Sequence, residues 1–357
     1  MTDIVVIGAG VAGISAAARL SHLGKVTLIE AEQQTGYHSS ARSAALFEET
    51  YGKPTTRALN TASKDYHATA NGGVLSPRGM MLLGGADDVE GFADDLADMH
   101  LEEMTVEEAR ALVPILSDHV VRAGYHAAAW DIDTDRLMQN WLRELRGNGG
   151  EVMIGAPVTA VTRDRAGWRV TVPQGDVAGT VLVNAAGAWA DGIAGLAGVT
   201  PLGLTPYRRS MARLAAPGGH DVSGWPMIFG PGESWYAKPD AGALLVSPAE
   251  EDPMDPHDAY ADDMVLAEGL ARYQDFVTEE VTRPVATWAG LRTFAPDRQL
   301  VLGRAVDSPT FIWCAGQGGY GFQTAPAASQ LIADVVAGRT PELGADLAAA
   351  LSPARFA

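Results

Sequence analysis

Residues 3–30 read DIVVIGAGVAGISAAARLSHLGKVTLIE, and their order decides the fold. The apolar run Ile4 to Ile7 predicts a buried parallel strand. Gly8, Gly10 and Gly13 then form G-x-G-x-x-G. A segment of helical period follows, with Ile14, Ala17, Ala18 and Leu20 on one face, and it stops at Gly24. Val26 to Ile29 predicts a second strand, ending on Glu30. This is a βαβ unit closed by an acid about twenty residues beyond the glycines, the arrangement of a dinucleotide site. Gly8 permits the tight turn, Gly10 lets the backbone approach a pyrophosphate, and Gly13 lets the helix pack against the strand. The helix N-terminus presents partial positive charge to the phosphates. Glu30 is placed to accept a ribose hydroxyl. At this point NAD and FAD are both open.

The chain has 357 residues, room for two domains or one large one, and at 47% hydrophobic residues it can bury a sizeable core. A net charge of −18 argues against nucleic acid and anionic membrane surfaces as partners. The acids are spread along the chain, and clusters such as Asp94, Asp95 and Asp98 read as solvated helix faces. Cys314 is the single cysteine, which excludes an internal disulfide and a cysteine metal site. The histidines show no metal-ligand spacing, so no metal is expected. The chain enters a strand without a signal-peptide pattern, and no apolar run approaches the ~18 residues of a membrane span. A soluble, cytoplasmic protein is expected.

After Glu30 the chain turns small and polar, where an NAD enzyme would soon add another βα unit. Ser39, Ser40, Arg42 and Ser43 could offer hydroxyls and a guanidinium to a phosphate or a flavin ring; equally, Ser40 or Ser43 could cap a helix. A helix is predicted over residues 55–67, short strands around Pro77 to Gly79, helix over most of 87–112, and one strand from Ala123 to Trp130. Thr134 or Asp133 caps the next helix. Strands follow at 152–154, 158–161, 168–172 and 181–184, then a hairpin around Asp240 and Gly242 and a helix over 263–276. The chain closes with a strand at 311–315, the flexible loop GQGGYG and a helix over 324–336. Nucleotide-type βα pieces therefore appear at the start, near 150–200 and near 300–340. Segments of different texture separate them. The expected architecture is α/β plus α+β: a discontinuous cofactor domain (1–75, 138–203 and 290–357) and a substrate domain (76–137 and 204–289).

On GYHSSARSAA, VLVNAAGAW, PLGLTPYRRS, SWYAKPDAG, WAGLR and GQGGYGFQT, together with the βαβ unit, the sequence resembles the D-amino-acid oxidase superfamily of flavoproteins, and more closely its bacterial FAD-dependent D-arginine dehydrogenases. The resemblance implies a glutathione-reductase-type FAD-binding Rossmann domain and a substrate domain on an antiparallel sheet. It also implies hydride transfer from a C–H beside an amine to flavin N5, followed by hydrolysis of the imino acid to keto acid and ammonia. It places Gly8, Gly10, Val11, Ala12, Gly13, Glu30 and Ala31 on FAD. Ser40, Arg42, Ser43 and Ala44 join them, with Val158, Ala186 and Gly187. The late loop adds Gly318, Tyr320, Gly321, Phe322, Gln323 and Thr324. Its glycines allow positive φ and free N–H groups for the flavin's pyrimidine oxygen.

The same resemblance assigns the catalytic group. Arg292 in WAGLR grips the substrate carboxylate by paired hydrogen bonds. Tyr51 and Tyr236 lie beside it, Arg209 is a second arginine of the site, and the Gly319 carbonyl holds the amine. Arg208 is expected to face solvent. Sarcosine oxidases tether flavin through a cysteine near the position of Gly290 or Leu291, so FAD is expected to be non-covalent and Cys314 a core residue.

The departures concern the pocket. D-arginine dehydrogenases carry a histidine where this chain has Leu46, and a guanidinium-binding glutamate where it has Met80. Met80 forfeits a charge-assisted hydrogen bond of ~1.5–3 kcal/mol, so arginine and lysine are expected to be poor substrates. Phe47 and Phe322 are expected to add apolar wall. Glu48, in place of a threonine, and Glu49 could restore an acid from another direction, which keeps a basic substrate as a minority alternative. Losing the histidine leaves water, Glu48 or a desolvating pocket to deprotonate the amine. The expectation is an FAD-dependent D-amino-acid dehydrogenase or oxidase for apolar or mid-sized side chains, passing electrons to O₂, a quinone or a dye-like acceptor. The alternatives are oxidation of a secondary amine or 2-hydroxy acid, and a flavin-binding subunit without activity of its own.

Overall fold

The computed structural model describes residues 3–357. Its first layer is a six-stranded sheet in the order Val301–Arg304, Phe311–Ala315, Val181–Asn184, Ile4–Ile7, Val26–Ile29, Glu151–Met153. All neighbours are parallel except Val301–Arg304. The central strands are almost wholly buried and largely apolar, Thr27 and Asn184 being the polar exceptions, because both faces are covered. Ile4, Val6, Leu28, Val183 and Ile312 face the helices Val11–Leu20, Thr134–Gly147 and Gly321–Ala337. Their neighbours Val5, Ile7, Ile29, Leu182 and Phe311 face Val161, Trp168 and Val170 of a three-stranded antiparallel sheet and Ile193 of the helix Ala190–Leu196.

The second layer is a nine-stranded sheet in which Thr205–Ala215 and Ala286–Phe294 form the longest ladder. Period-two alternation again sorts its side chains. Met81, Ile228, Ala237 and Val246 pack with Leu266 and Tyr273 of the helix Asp263–Asp275. Met80, Phe229, Tyr236 and Leu245 face the opposite way, toward Ala44 and Leu46. Leu46–Glu48, Ala129–Ile132 and Leu75–Pro77 make a further three-stranded sheet beside it. The expected edge at residue 290 falls inside the strand Ala286–Phe294.

Several local expectations change. The single strand expected at 123–130 is two, Arg122–His126 and Ala129–Ile132, in different sheets. The helix expected over 87–112 is broken by the strand Glu102–Met104. The chain reverses at His100, which has φ 53°, and restarts at Thr105, whose hydroxyl accepts the Glu108 N–H in a capping box. Ser40 and Ser43 start no α-helix; residues Ser39–Arg42 form a single 3₁₀ turn. The strand near 158 begins at Ala160, and the last long helix begins at Gly321. Among the described residues no helix is long and apolar enough to cross a membrane, and no cluster of His, Cys, Asp or Glu could hold a metal ion.

The helix Pro54–Thr69 meets Gly321–Ala337 through buried Thr56, Asn60, Ser63 and His67, a polar stripe at helical spacing. Pro326 interrupts the facing helix, and the stripe supplies what the interruption leaves unpaired. Ser63 Oγ accepts the Ala327 N–H at 3.1 Å, and His67 Nε2 donates to the Gln323 carbonyl at 2.9 Å. Burial pushes His67 from 6.5 down to about 4. The neutral ring therefore stabilises the fold fully above the ordinary 6.5, and that contribution is lost as pH falls toward 4. Between pH 7 and pH 5 the loss from this group is ~2 kcal/mol. Urea unfolding of the wild type and His67→Gln at the two pH values is expected to show this slope only in the wild type.

Candidate active site

A cleft of about 440 Å³ runs along the carboxyl ends of the six-stranded sheet, where doubly wound sheets bind nucleotides. Gly8, Gly10, Val11, Ala12, Glu30 and Ala31 line one end, with Ser40, Ser43 and Ala44 above them. Val158, Ala186 and Gly187 form a side wall, and Gly318, Gly319, Gly321 and Phe322 lie toward the other end. Gly8 has φ +98°, and a Cβ there would stand 2.5 Å from the Ala185 carbonyl oxygen. A Cβ on Gly13 would stand 1.8 Å from the Gly8 oxygen, so Gly13 makes the turn without lining the cleft. Glu30 is fixed by its neighbours: the Ala9 N–H donates to Oε2 at 2.8 Å and the Glu32 N–H to Oε1 at 3.0 Å. Each oxygen keeps a lone pair for a ribose hydroxyl. The helix Val11–Leu20 has no side-chain cap, and the Val11 N–H donates to Ser40 Oγ at 2.9 Å. A long cleft, a glycine cradle, a helix N-terminus and a fixed carboxylate fit an FAD.

Arg42 takes a different part from the one expected. Its Nη1 donates to the carbonyls of Ala259 and Ala289, both at 2.9 Å, and its Nη2 to Asp258 at 2.5 Å. The guanidinium is thus committed to protein acceptors rather than to a phosphate or flavin ring. Tyr37 also donates to Asp258, at 3.2 Å, so residues 258–259 strap across the rim of the cleft. Tyr320 and Thr324 line neither cavity. Tyr320 packs against Tyr51 with ring centroids 5.3 Å apart, and the Thr324 hydroxyl donates to the Tyr320 carbonyl. Gln323 lies at the neighbouring pocket, where its Oε1 accepts the Glu48 N–H at 2.6 Å.

That pocket, about 90 Å³, shares Ser43, Ala44, Tyr236, Arg292, Gly319 and Phe322 with the cleft. Arg292 projects from the strand Ala286–Phe294 and lies against Gly319, where a Cβ would stand 3.2 Å from its Nη1. Among the described residues it has no hydrogen-bond acceptor and no ion-pair partner. Burial lowers its pKa, but the fields of Tyr236, Tyr51 and Glu233 outweigh burial and raise it above its ordinary value. Tyr51 donates to Glu233 Oε1 at 2.5 Å. Burial first, and Glu233 second, push the Tyr51 phenol well up, so it stays a donor. Arg209 lines the cleft; its Nη2 reaches Glu251 at 3.3 Å while Nε and Nη1 are sealed without partners. Burial and the like charge of Arg292 lower its pKa. Arg208 does not face solvent: it is 8% exposed and pairs with Asp252 at 2.6 Å.

The apolar walls come from Leu46, Met80, Phe322, Met99, Met227 and Phe229. Phe47 is not among them. It points into the helical core, edge-on to His67 with centroids 5.3 Å apart, because alternation along Leu46–Glu48 turns it away from its neighbours. Sequence reasoning missed Met99, Met227, Phe229, Glu233 and Asp258. Met227 and Phe229 carried a signal in the alternation of PMIFG; Glu233 ends the 3₁₀ turn Pro231–Glu233 and Asp258 sits in a loop, and neither carried one.

A dinucleotide cleft thus shares a wall with a small pocket that holds an unpaired guanidinium. The family model described as "FAD dependent oxidoreductase" (DAO) matches residues 3–335, and the chain belongs to that family. The glycine oxidase of Pseudomonas aeruginosa is 27% identical over 95% of this chain and 95% of its own. The L-proline dehydrogenase of P. horikoshii superposes with a TM-score of 0.83 at 22% identity, over 99% of this chain and 97% of that one. The glycine oxidase of Geobacillus kaustophilus gives 0.82 at 21%, over 98% of each. These two likenesses are of fold.

Because a Cβ at Gly13 meets backbone rather than a movable side chain, Gly13→Ala is expected to destabilise the fold by ~2 kcal/mol or more and to purify without its yellow cofactor. Visible absorbance and thermal unfolding check both.

Proposed function

We propose that this FAD-dependent oxidoreductase oxidises a D-amino acid with a mid-sized side chain that is apolar along its stem. The observation that carries the reading is the Arg292 guanidinium, which has no protein partner in a wall shared by cleft and pocket. A carboxylate satisfies such a group with parallel hydrogen bonds. Tyr51 and Tyr236 flank the carboxylate, the Tyr236 hydroxyl as a donor and Tyr51 held in place by Glu233, and the Gly319 carbonyl receives the amine. Arg209 adds positive potential. The walls of Met80, Met99, Met227 and Phe229 exclude water and accept a flexible apolar stem. FAD, bound non-covalently, supplies the two-electron acceptor for a hydride from Cα. The amine gives up a proton to solvent, the resulting imine takes up water, and a 2-keto acid and ammonia leave. The D configuration rests on the likeness to D-arginine dehydrogenases at Tyr51, Arg209, Tyr236, Arg292 and Gly319. In this reading residues 1–75, 138–203 and 290–357 carry FAD, and 76–137 and 204–289 carry the substrate.

A second reading, oxidation of a secondary amine, is favoured by the apolar Leu46 in place of a basic side chain. The similarity to a protein named L-proline dehydrogenase, whose namesake substrate is a secondary amine, supports it too. Anaerobic mixing of the yellow protein with single substrates separates the two. Bleaching by D-methionine, D-leucine or D-ornithine and not by the L forms is expected. Bleaching only by proline or sarcosine assigns the second reading, and no bleaching by any amino acid or amine refutes both. Arg292→Ala is expected to keep FAD and to raise KM for the amino acid about tenfold or more, the loss of one charge-assisted pair. An unchanged KM removes Arg292 from the carboxylate.

A further inference from the structure

The substrate pocket contains an acid that nothing above uses. Glu48 lines it and is 2% exposed. One oxygen is satisfied: Oε1 accepts from the Thr50 N–H at 2.9 Å and from the Thr50 hydroxyl at 2.8 Å. The other, Oε2, is sealed from water and has no hydrogen-bond partner. His126 Nε2 stands 3.4 Å from it without hydrogen-bond geometry, on the strand residue that pairs with Met80. Among the described residues the one other carboxylate in the pocket wall, Glu233, is occupied by Tyr51. A buried carboxylate oxygen left without a donor costs free energy, and a protein holds one there at a loss unless a donor arrives. Ser43, Gln323 and the tyrosines of the wall also carry donors, but among the described residues none makes a hydrogen bond to Oε2.

We propose that Glu48 is a specificity-determining residue that receives the far end of the substrate, and that the preferred amino acid carries an ammonium group at the end of a short unbranched side chain. The inference rests on the amino-acid reading above and extends it. Arg292 at one end and Glu48 at the other would bind a zwitterion with a second positive charge, while the methionines between them pack its methylene stem. Met80 contributes packing only. The acid stands on the strand Leu46–Glu48.

D-Ornithine and D-norleucine have the same length and shape and differ in an ammonium against a methyl group. In anaerobic stopped flow, the wild-type holoenzyme is expected to show a limiting rate over Kd for ornithine at least about tenfold above norleucine, the size of one charge-assisted hydrogen bond. Glu48→Gln is expected to collapse that ratio severalfold or more while FAD stays bound, and His126→Gln to retain it. A wild-type ratio at or below one overturns the proposal, and this outcome needs no variant to fold. A ratio unchanged in Glu48→Gln also overturns it and leaves Glu48 and His126 as a structural pair. If neither amino acid bleaches the flavin, nor any other of either hand, it is the amino-acid reading that has failed.

Discussion

The turn Ser39–Arg42 is hydrogen-bonded to the backbone of a strand some 250 residues later, and the geometry of the site depends on that junction. Ser39 Oγ donates to the Leu291 carbonyl at 2.6 Å, and Arg42 Nη1 to the Ala289 carbonyl at 2.9 Å. The turn belongs to the cofactor cleft. The strand belongs to the nine-stranded sheet and carries Arg292 one residue beyond the bonded Leu291. Two sheets with separate hydrophobic cores are thereby held at one distance, and a cofactor on the first is held against a clamp on the second. Gly290 sits between the bonded carbonyls, where the turn passes over the strand.

The site is built against charge neutrality. Arg292 and Arg209 converge on one wall, where the field of Arg292 helps to lower Arg209, and the acids nearest them are taken up or shared: Glu233 by Tyr51, Glu250 by the Ser210 N–H, and Glu251 by Arg298 as well as Arg209. Buried positive charge without protein partners is a cost to the folded chain and a source of affinity for an anion. The same trade appears with opposite sign at Glu48. Stability has been given up at both ends of one small pocket.

The parts of this arrangement that follow local rules were legible in the sequence. The βαβ unit, the hairpin at Asp240 and Gly242 and the Asp133 cap all depend on residues close in the chain, and the structure has them. The mistakes share one cause. Arg42 and Arg208 are ordinary polar residues until a distant segment supplies Asp258 or Asp252, and that pairing has no local signature. Phe47 was placed in the pocket because its neighbours are there, whereas a strand sends successive side chains to opposite faces. Glu233 reaches the site from a single 3₁₀ turn and Asp258 from a loop, where periodicity says nothing.

Cys314 lies on the central sheet beneath the glycine turn, its sulfur 3.9 Å from the Ala12 carbonyl oxygen. Burial pushes its thiol up to about 12, so at neutral pH the folded chain has essentially no thiolate. To a thiol reagent the native protein is blank. Since the chain has no other cysteine, any labelling that does occur counts openings of this sheet, and the rate of labelling is a clock for that motion that needs no introduced probe.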